Sequence, residues 1–111
     1  MKTSLKINQG KRSLNLYYDE IALLEGDGNY TVFILSSSRR VVVAKSLKCF
    51  EPDLPEQFVR VHKGAIVNFS FAQNLKRKGV RLKDGSMVSV ARRRATECLR
   101  KWKDRVPLNC N

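Results

Sequence analysis

Residues 58–68 read Phe58-Val59-Arg60-Val61-His62-Lys63-Gly64-Ala65-Ile66-Val67-Asn68. Phe58–Val61 is an extended segment with an alternating Arg60, and Ala65–Asn68 is a second short strand. Arg60, His62 and Lys63 crowd two cations and an imidazole into the stretch that joins them. The pattern is that of short strands connected by polar turns, and it continues on both sides.

Upstream, Leu14–Tyr18 and Ile21–Glu25 are weak strands separated by Asp19-Glu20. The turn cluster Gly26-Asp27-Gly28-Asn29 leads into Tyr30–Leu35, which is strongly β-prone. Ser36-Ser37-Ser38 allows a reversal into Arg40–Lys45, so these two runs form a hairpin. Ser46 caps a short helix from Leu47 to about Glu51, which Pro52 stops. Downstream, Phe71–Arg77 is a strand and Gly79 breaks the next turn. Val80–Lys83 and Met87–Val90 flank Asp84-Gly85, a strong hairpin signal. The period then changes. Ala91, Ala95, Cys98, Leu99, Trp102 and Val106 mark one face of a helix that runs to about Lys103 and ends at Pro107. Its other face carries Arg93, Arg94, Glu97, Arg100, Lys101 and Asp104. The apolar stripe docks on the sheets, or alternatively offers a surface to a partner helix.

The 111 residues suffice for one compact domain with a modest core. Twenty-two Lys/Arg against 10 Asp/Glu give +12, and an excess of that size implies an anionic partner: nucleic acid, an anionic membrane or an acidic protein. The excess is concentrated. Residues 1–75 hold 10 basic and 7 acidic residues, residues 76–111 hold 12 and 3. Cys49, Cys98 and Cys110 are odd in number and form no C-x-x-C, against a disulfide framework and in favour of a reducing cytoplasm. One histidine leaves a zinc site little to work with. The N-terminus has no apolar core of a signal peptide, and no apolar run is long enough to span a bilayer.

Three segments combine polarity with turn geometry. In Asp27-Gly28-Asn29-Tyr30 the glycine brings the backbone close to a partner and Asn29 suits a base edge, although the segment also reads as a plain loop. In Arg60–Gly64, His62 can donate and accept, and Lys63 offers a mobile ammonium to a phosphate or a guanine edge. His62 also reads as a satisfied structural residue. In Ala91-Arg92-Arg93-Arg94 three arginines stand at the N-terminus of the last helix, where an anion is favoured and cations alone are not.

In this order, IALLEGDGNY (21–30), Ser46-Leu47, LPEQFVRVHKGAIVN (54–68), GSMVSV (85–90) and Arg92 resemble the LytTR family. These are DNA-binding domains of LytR- and AgrA-type bacterial response regulators. The likeness covers about residues 12–101, and F-V-R-V-H-K-x-x-I-V-N is its most specific part. It implies an all-β architecture, mainly an elongated set of short antiparallel sheets with a short central helix and a C-terminal helix. It also implies binding to imperfect direct repeats in promoter DNA, often as pairs, by loops in successive major grooves. The base-reading loops fall by position on Asn29–Thr31 with Tyr30, on His62-Lys63 and on Arg92. Arg60 and Asn68 match family positions that look structural, Asn68 through hydrogen bonds to backbone. Gly64-Ala65 stands where the family usually has Ser and an aromatic residue, and Ala91 where it often has Ser.

The expected function is therefore sequence-specific double-stranded DNA binding by a cytoplasmic bacterial transcription regulator. Asn29, Tyr30, His62, Lys63 and Arg92 read bases; Lys45, Lys76, Arg77, Lys78, Arg93 and Arg94 hold phosphates. Residues 1–111 form a single domain with its core at about 12–103 and no room for a receiver domain, which would be a separate partner. A homodimer, or pairing on DNA, is expected, with no cofactor, no metal and no small-molecule substrate. The rival is a non-specific polyanion module for RNA or an anionic membrane. The chain lacks the aromatic signature of single-stranded RNA readers, while its last helix is cationic on one face and apolar on the other. An enzyme is disfavoured: His62 has no nucleophile partner in the sequence, and no phosphate-cradling glycine loop precedes a lysine.

Overall fold

Alternating apolar and polar residues build three antiparallel sheets in the computed structural model, which describes residues 3–105. Strands β1 (Ser4–Gln9) and β2 (Arg12–Tyr17) form a two-stranded ribbon. A five-stranded sheet contains β3 (Ile21–Asp27), β4 (Tyr30–Leu35), β5 (Arg40–Val43), β6 (Phe58–His62) and β7 (Ala65–Asn68), in the order β5-β4-β3-β7-β6. Strands β8 (Ala72–Lys76), β9 (Gly79–Leu82) and β10 (Met87–Ser89) form the third sheet, ordered β10-β9-β8. One α-helix, α1 (Ala95–Asp104), follows. The longest axis is 43 Å against 30 and 25 Å for the others, the elongated all-β arrangement expected.

The five-stranded sheet is covered on both faces. On one face Leu24, Phe33, Val41, Phe58 and Ile66 pack with Leu5, Ile7 and Leu16 of the ribbon and with Leu47 and Phe50. The Phe33 and Phe50 rings meet edge to face at 5.1 Å. On the other face Leu23, Val59, Val61, Ala65 and Val67 pack with Phe69, Val80 and Leu82, and with Ala95 and Cys98 of α1. A strand covered on both faces has no solvent side, which is why Ala65–Val67 is apolar without alternation. Asn68 is the buried polar exception. Its Nδ2 donates to the carbonyls of Tyr18 at 3.2 Å and Ile21 at 2.8 Å, and its Oδ1 accepts from the Ser70 amide at 2.9 Å.

The apolar face of α1 is occupied. Ala95 and Cys98 are buried, Leu99 and Trp102 pack on the same cluster, and Trp102 meets Phe69 edge to face at 5.4 Å. Burial pushes the Cys98 thiol up, and its Sγ–H donates to the Arg60 carbonyl at 3.6 Å. Cys98 is thus a protonated, enclosed thiol rather than a reactive one. Cys49 is exposed.

Several expectations are corrected. Strand β1 was not foreseen, because Ser4–Gln9 carries only two core residues, Leu5 and Ile7, among polar ones. The short central helix is present, as two successive 3-10 helices, Leu47–Cys49 and Glu51–Asp53, rather than one continuous run. Ser46 makes no side-chain cap, and Pro52 sits within the second turn rather than stopping the first. Proline's fixed φ and missing N–H suit the start of such a turn. Gly79 does not break a turn; it pairs with Lys76 and Ser89, and the reversal is at Arg77-Lys78. The strand expected from Phe71 begins at Ala72, after a 3-10 turn at Phe69–Phe71. The last helix begins only at Ala95, and Arg92–Arg94 form a separate 3-10 turn before it. Val106, Pro107 and Cys110 lie outside the described residues.

Candidate nucleic-acid interface

Antiparallel pairing sends one end of every strand in the five-stranded sheet to the same rim. That rim holds the ends of β3, β5 and β6 and the beginnings of β4 and β7. The tip of the β3–β4 hairpin is Gly28-Asn29, with Asp27 paired to Tyr30. Gly28 has φ +61°, a left-handed conformation that costs glycine nothing. Asn29 and Tyr30 are exposed, Tyr30 at 54%. Next along the rim comes the β6–β7 turn with His62 and Lys63. The Gly26 amide donates to the Gly64 carbonyl at 2.9 Å, so these two turns are neighbours.

Arg92 reaches the rim by a different route. Strand β6 bulges between Arg60 and His62, with Val61 the additional residue. The Val61 carbonyl accepts from the Ala91 amide at 2.8 Å. Bulges re-aim side chains where they occur, and this one ties the segment before Arg92 to the strand that carries His62. One residue earlier, the Val90 amide donates to the Lys78 carbonyl at 3.0 Å. The exposed turn Lys76-Arg77-Lys78 therefore flanks Arg92 on the other side.

Lys45 completes the row. Its carbonyl accepts from Thr31 Oγ1 at 2.7 Å, and the Lys45 side chain is exposed. Asn29, Tyr30, His62, Lys63, Arg92, Lys45 and the 76–78 cations thus gather along one edge of the molecule. Arg93 is exposed on the 3-10 turn beside Arg92, while Arg94 is half-buried and close enough to act on the Cys98 thiol. Glu25 and Asp27 are exposed acids on the same rim.

The imidazole of His62 has a defined orientation. Its Nδ1 accepts from the Gly64 amide at 3.0 Å, so the neutral ring carries its hydrogen on Nε2. Through Nε2 it is a donor, which suits a phosphate oxygen or the O6 and N7 of guanine. A Cβ on Gly64 would stand 3.3 Å from His62 Cε1, so a glycine here leaves the ring uncrowded.

Three features of the site escaped sequence reading. Glu51 takes the Arg60 guanidinium at 2.6 Å, and that guanidinium also reaches the carbonyls of His62 and Lys63. Leu47 packs on Gly26, where an added Cβ would fall 2.9 Å from Leu47 Cβ. Thr31, expected at the end of the base-reading segment Asn29–Thr31, is instead fully buried with its hydroxyl donated to the Lys45 carbonyl, so its side chain cannot reach a base. The sequence signals were weak: a Pro-containing stretch with one acid, and a glycine before a turn. Gly26→Ala should therefore cost about 1–3 kcal/mol through overpacking. The denaturant midpoint would read it, and Leu47→Ala in the same chain should not recover the loss, because alanine keeps the Cβ that makes the contact.

A row of exposed turns with donors and cations on a β scaffold is the chemistry that a polyanion-binding domain presents. Among the described residues no group of His, Cys, Asp or Glu is placed to hold a metal ion, and no helix is long and apolar enough to cross a membrane. The sequence profile of the LytTr DNA-binding domain family matches residues 11–103, and the chain belongs to that family. No curated protein matches it. Among solved structures it is similar to the LytTr DNA-binding domain of a protein described as a methyl-accepting/DNA response regulator from Bacillus cereus. That likeness has a TM-score of 0.74 at 19% identity and covers 91% of this chain and 97% of the other.

Proposed function

We propose that this chain is a single sequence-specific DNA-binding unit of a transcription regulator or the output domain of a response regulator. It reads double-stranded promoter DNA with loops in the major groove and works in the cytoplasm. The observation that supports this reading most is the convergence of three separate turns on one rim. Asn29, Tyr30, His62, Lys63 and Arg92 supply the base contacts; Lys45, Lys76, Arg77, Lys78, Arg93 and Arg94 hold the backbone. The Nε2–H of His62 is a donor and Arg92 a fork, so both favour guanine edges, while Asn29 favours adenine. Pairs of chains then occupy direct repeats on one face of the duplex, with a receiver domain or another regulatory protein supplying the signal.

A duplex selected from a random pool and then footprinted tests the reading. A direct repeat at helical-turn spacing is the expected result. Arg92→Ala should cost about 1–3 kcal/mol on that duplex and much less on random DNA. Equal losses on both would make Arg92 a phosphate contact. The rival non-specific module for RNA or an anionic membrane predicts no recovered consensus. Its membrane form is disfavoured because the apolar face of α1 is already packed on the sheets.

A further inference from the structure

Arg60 is a cation within two residues of the recognition turn, yet each of its three guanidinium nitrogens is engaged by the protein itself. Nε donates to the His62 carbonyl at 3.2 Å, one terminal nitrogen to the Lys63 carbonyl and the other to Glu51 Oε1 at 2.6 Å. Its side chain is only 16% exposed, against 43% for Glu51. A guanidinium is planar and forked, so three partners around it fix both its plane and theirs. Two of those partners are the backbone carbonyls that define the turn carrying His62 and Lys63. The third belongs to the 3-10 turn Glu51–Asp53, which continues from Leu47–Cys49. Leu47 in turn packs on Gly26, at the root of the Asn29 hairpin.

We infer that Arg60 and Glu51 are positioning residues for DNA sequence recognition. Glu51 anchors the Arg60 fork, the fork holds the His62-Lys63 turn in its reading conformation, and segment 46–53 sets that turn at a constant distance from the Asn29 hairpin. The pair touches no DNA. It governs how well the chain chooses a site, and has little part in how strongly it holds any duplex. This rests on the proposal that His62 and Lys63 read bases.

The discriminating variant is Glu51→Gln. It removes an acid from a polyanion-binding protein, so simple electrostatics predicts tighter DNA binding. Loss of the anchor predicts weaker binding to the selected duplex, by about ten-fold, the scale of one base-reading contact. Arg60→Gln and Arg60→Lys should give similar losses, because lysine cannot bridge three acceptors in one plane. The double change Glu51→Gln/Arg60→Gln should cost little more than either single change. Affinity for random duplex DNA, and the slope of log affinity against log salt, should stay as in the parent chain. A phosphate contact at Arg60 would instead lower that slope by about one.

Melting temperatures measured alongside separate positioning from loss of fold. Unchanged selectivity in Glu51→Gln and Arg60→Lys overturns the inference, as does an equal loss on selected and random duplexes. His62→Ala and Lys63→Ala serve as the control for the underlying reading. If these two retain full selectivity, base reading by the turn fails; if they lose it while Glu51→Gln and Arg60→Lys do not, only the positioning role fails.

Discussion

DNA affinity should fall about 10³-fold when salt is raised from about 50 to about 200 mM, a slope of log affinity against log salt near −5. Counterion release sets that slope by the number of phosphates neutralised, not by total charge. The chain has a net charge of +12, but part of its cationic surface is committed to its own acids. Arg100 is held by Glu97 at 2.7 Å and Asp104 at 2.9 Å, and Arg60 by Glu51. Glu97 and Asp104 lie with Arg100 on the exposed face of α1, and the Arg100 cation holds the Glu97 carboxyl below the usual range. The cations assigned to phosphate are Lys45, Lys76, Arg77, Lys78, Arg93 and Arg94, about six contacts at about 0.9 each. Fluorescence anisotropy on a labelled duplex across a salt series measures the slope. A value near zero would remove the electrostatic part of the reading. A value near −10 would mean that the α1 face also lies against DNA.

Asn68→Ala should be the most destabilising single change at a polar position, about 3–5 kcal/mol, because it removes three hydrogen bonds and leaves a hole at a fully buried position. Asn68 is fully buried and its amide serves three backbone partners: the carbonyls of Tyr18 and Ile21 and the amide of Ser70. These come from the turn leading into β3, the start of β3 and the turn after β7, so one side chain ties the two central strands together at the end of the sheet away from the rim. Alanine removes all three bonds at once: the Ile21 carbonyl loses this donor, the Tyr18 carbonyl keeps the Ile21 amide, and the Ser70 amide turns to solvent, while an unsatisfied buried group costs about 1–3 kcal/mol. Thermal unfolding should show a drop of about 10 °C or more. A drop under about 3 °C would mean that solvent reaches the site and replaces the amide. Since the far end of the sheet is affected and not the rim, random-duplex binding by the folded fraction should be retained.

The strands with strong β propensity or clear turn residues were legible one by one. Tyr30–Leu35, the Asp84-Gly85 hairpin and the stripe of α1 follow from local preference, since alternation, a left-handed turn and a 3.6 period are properties of neighbouring residues. Local preference failed where tertiary packing overrode it. Leu47–Asp53 has the composition of a capped helix, yet it runs as two 3-10 turns that place Leu47 on Gly26 and Glu51 on Arg60. Strand β1 has too few apolar residues to announce itself and exists because Leu5 and Ile7 find the face of another sheet.

The binding surface divides in the same way. By sequence alone the chain determined that its partner is anionic, that its scaffold is β-rich, and that polar residues are concentrated in turns near Asn29, His62 and Arg92. Charge and turn chemistry are carried by residues that are contiguous in the chain. Tertiary structure alone decided that those turns share one rim and that Arg60 is held by Glu51; the folded turn itself set His62 with Nε2 as its donor. The shared rim and the Arg60 anchor depend on contacts between distant segments, Gly26 to Gly64, Val61 to Ala91 and Arg60 to Glu51, while the His62 ring is set by the Gly64 amide two residues on. The Phe58–Asn68 stretch joins both levels, because its strands are written locally while the direction of its turn is set by the partners that the rest of the fold brings to it.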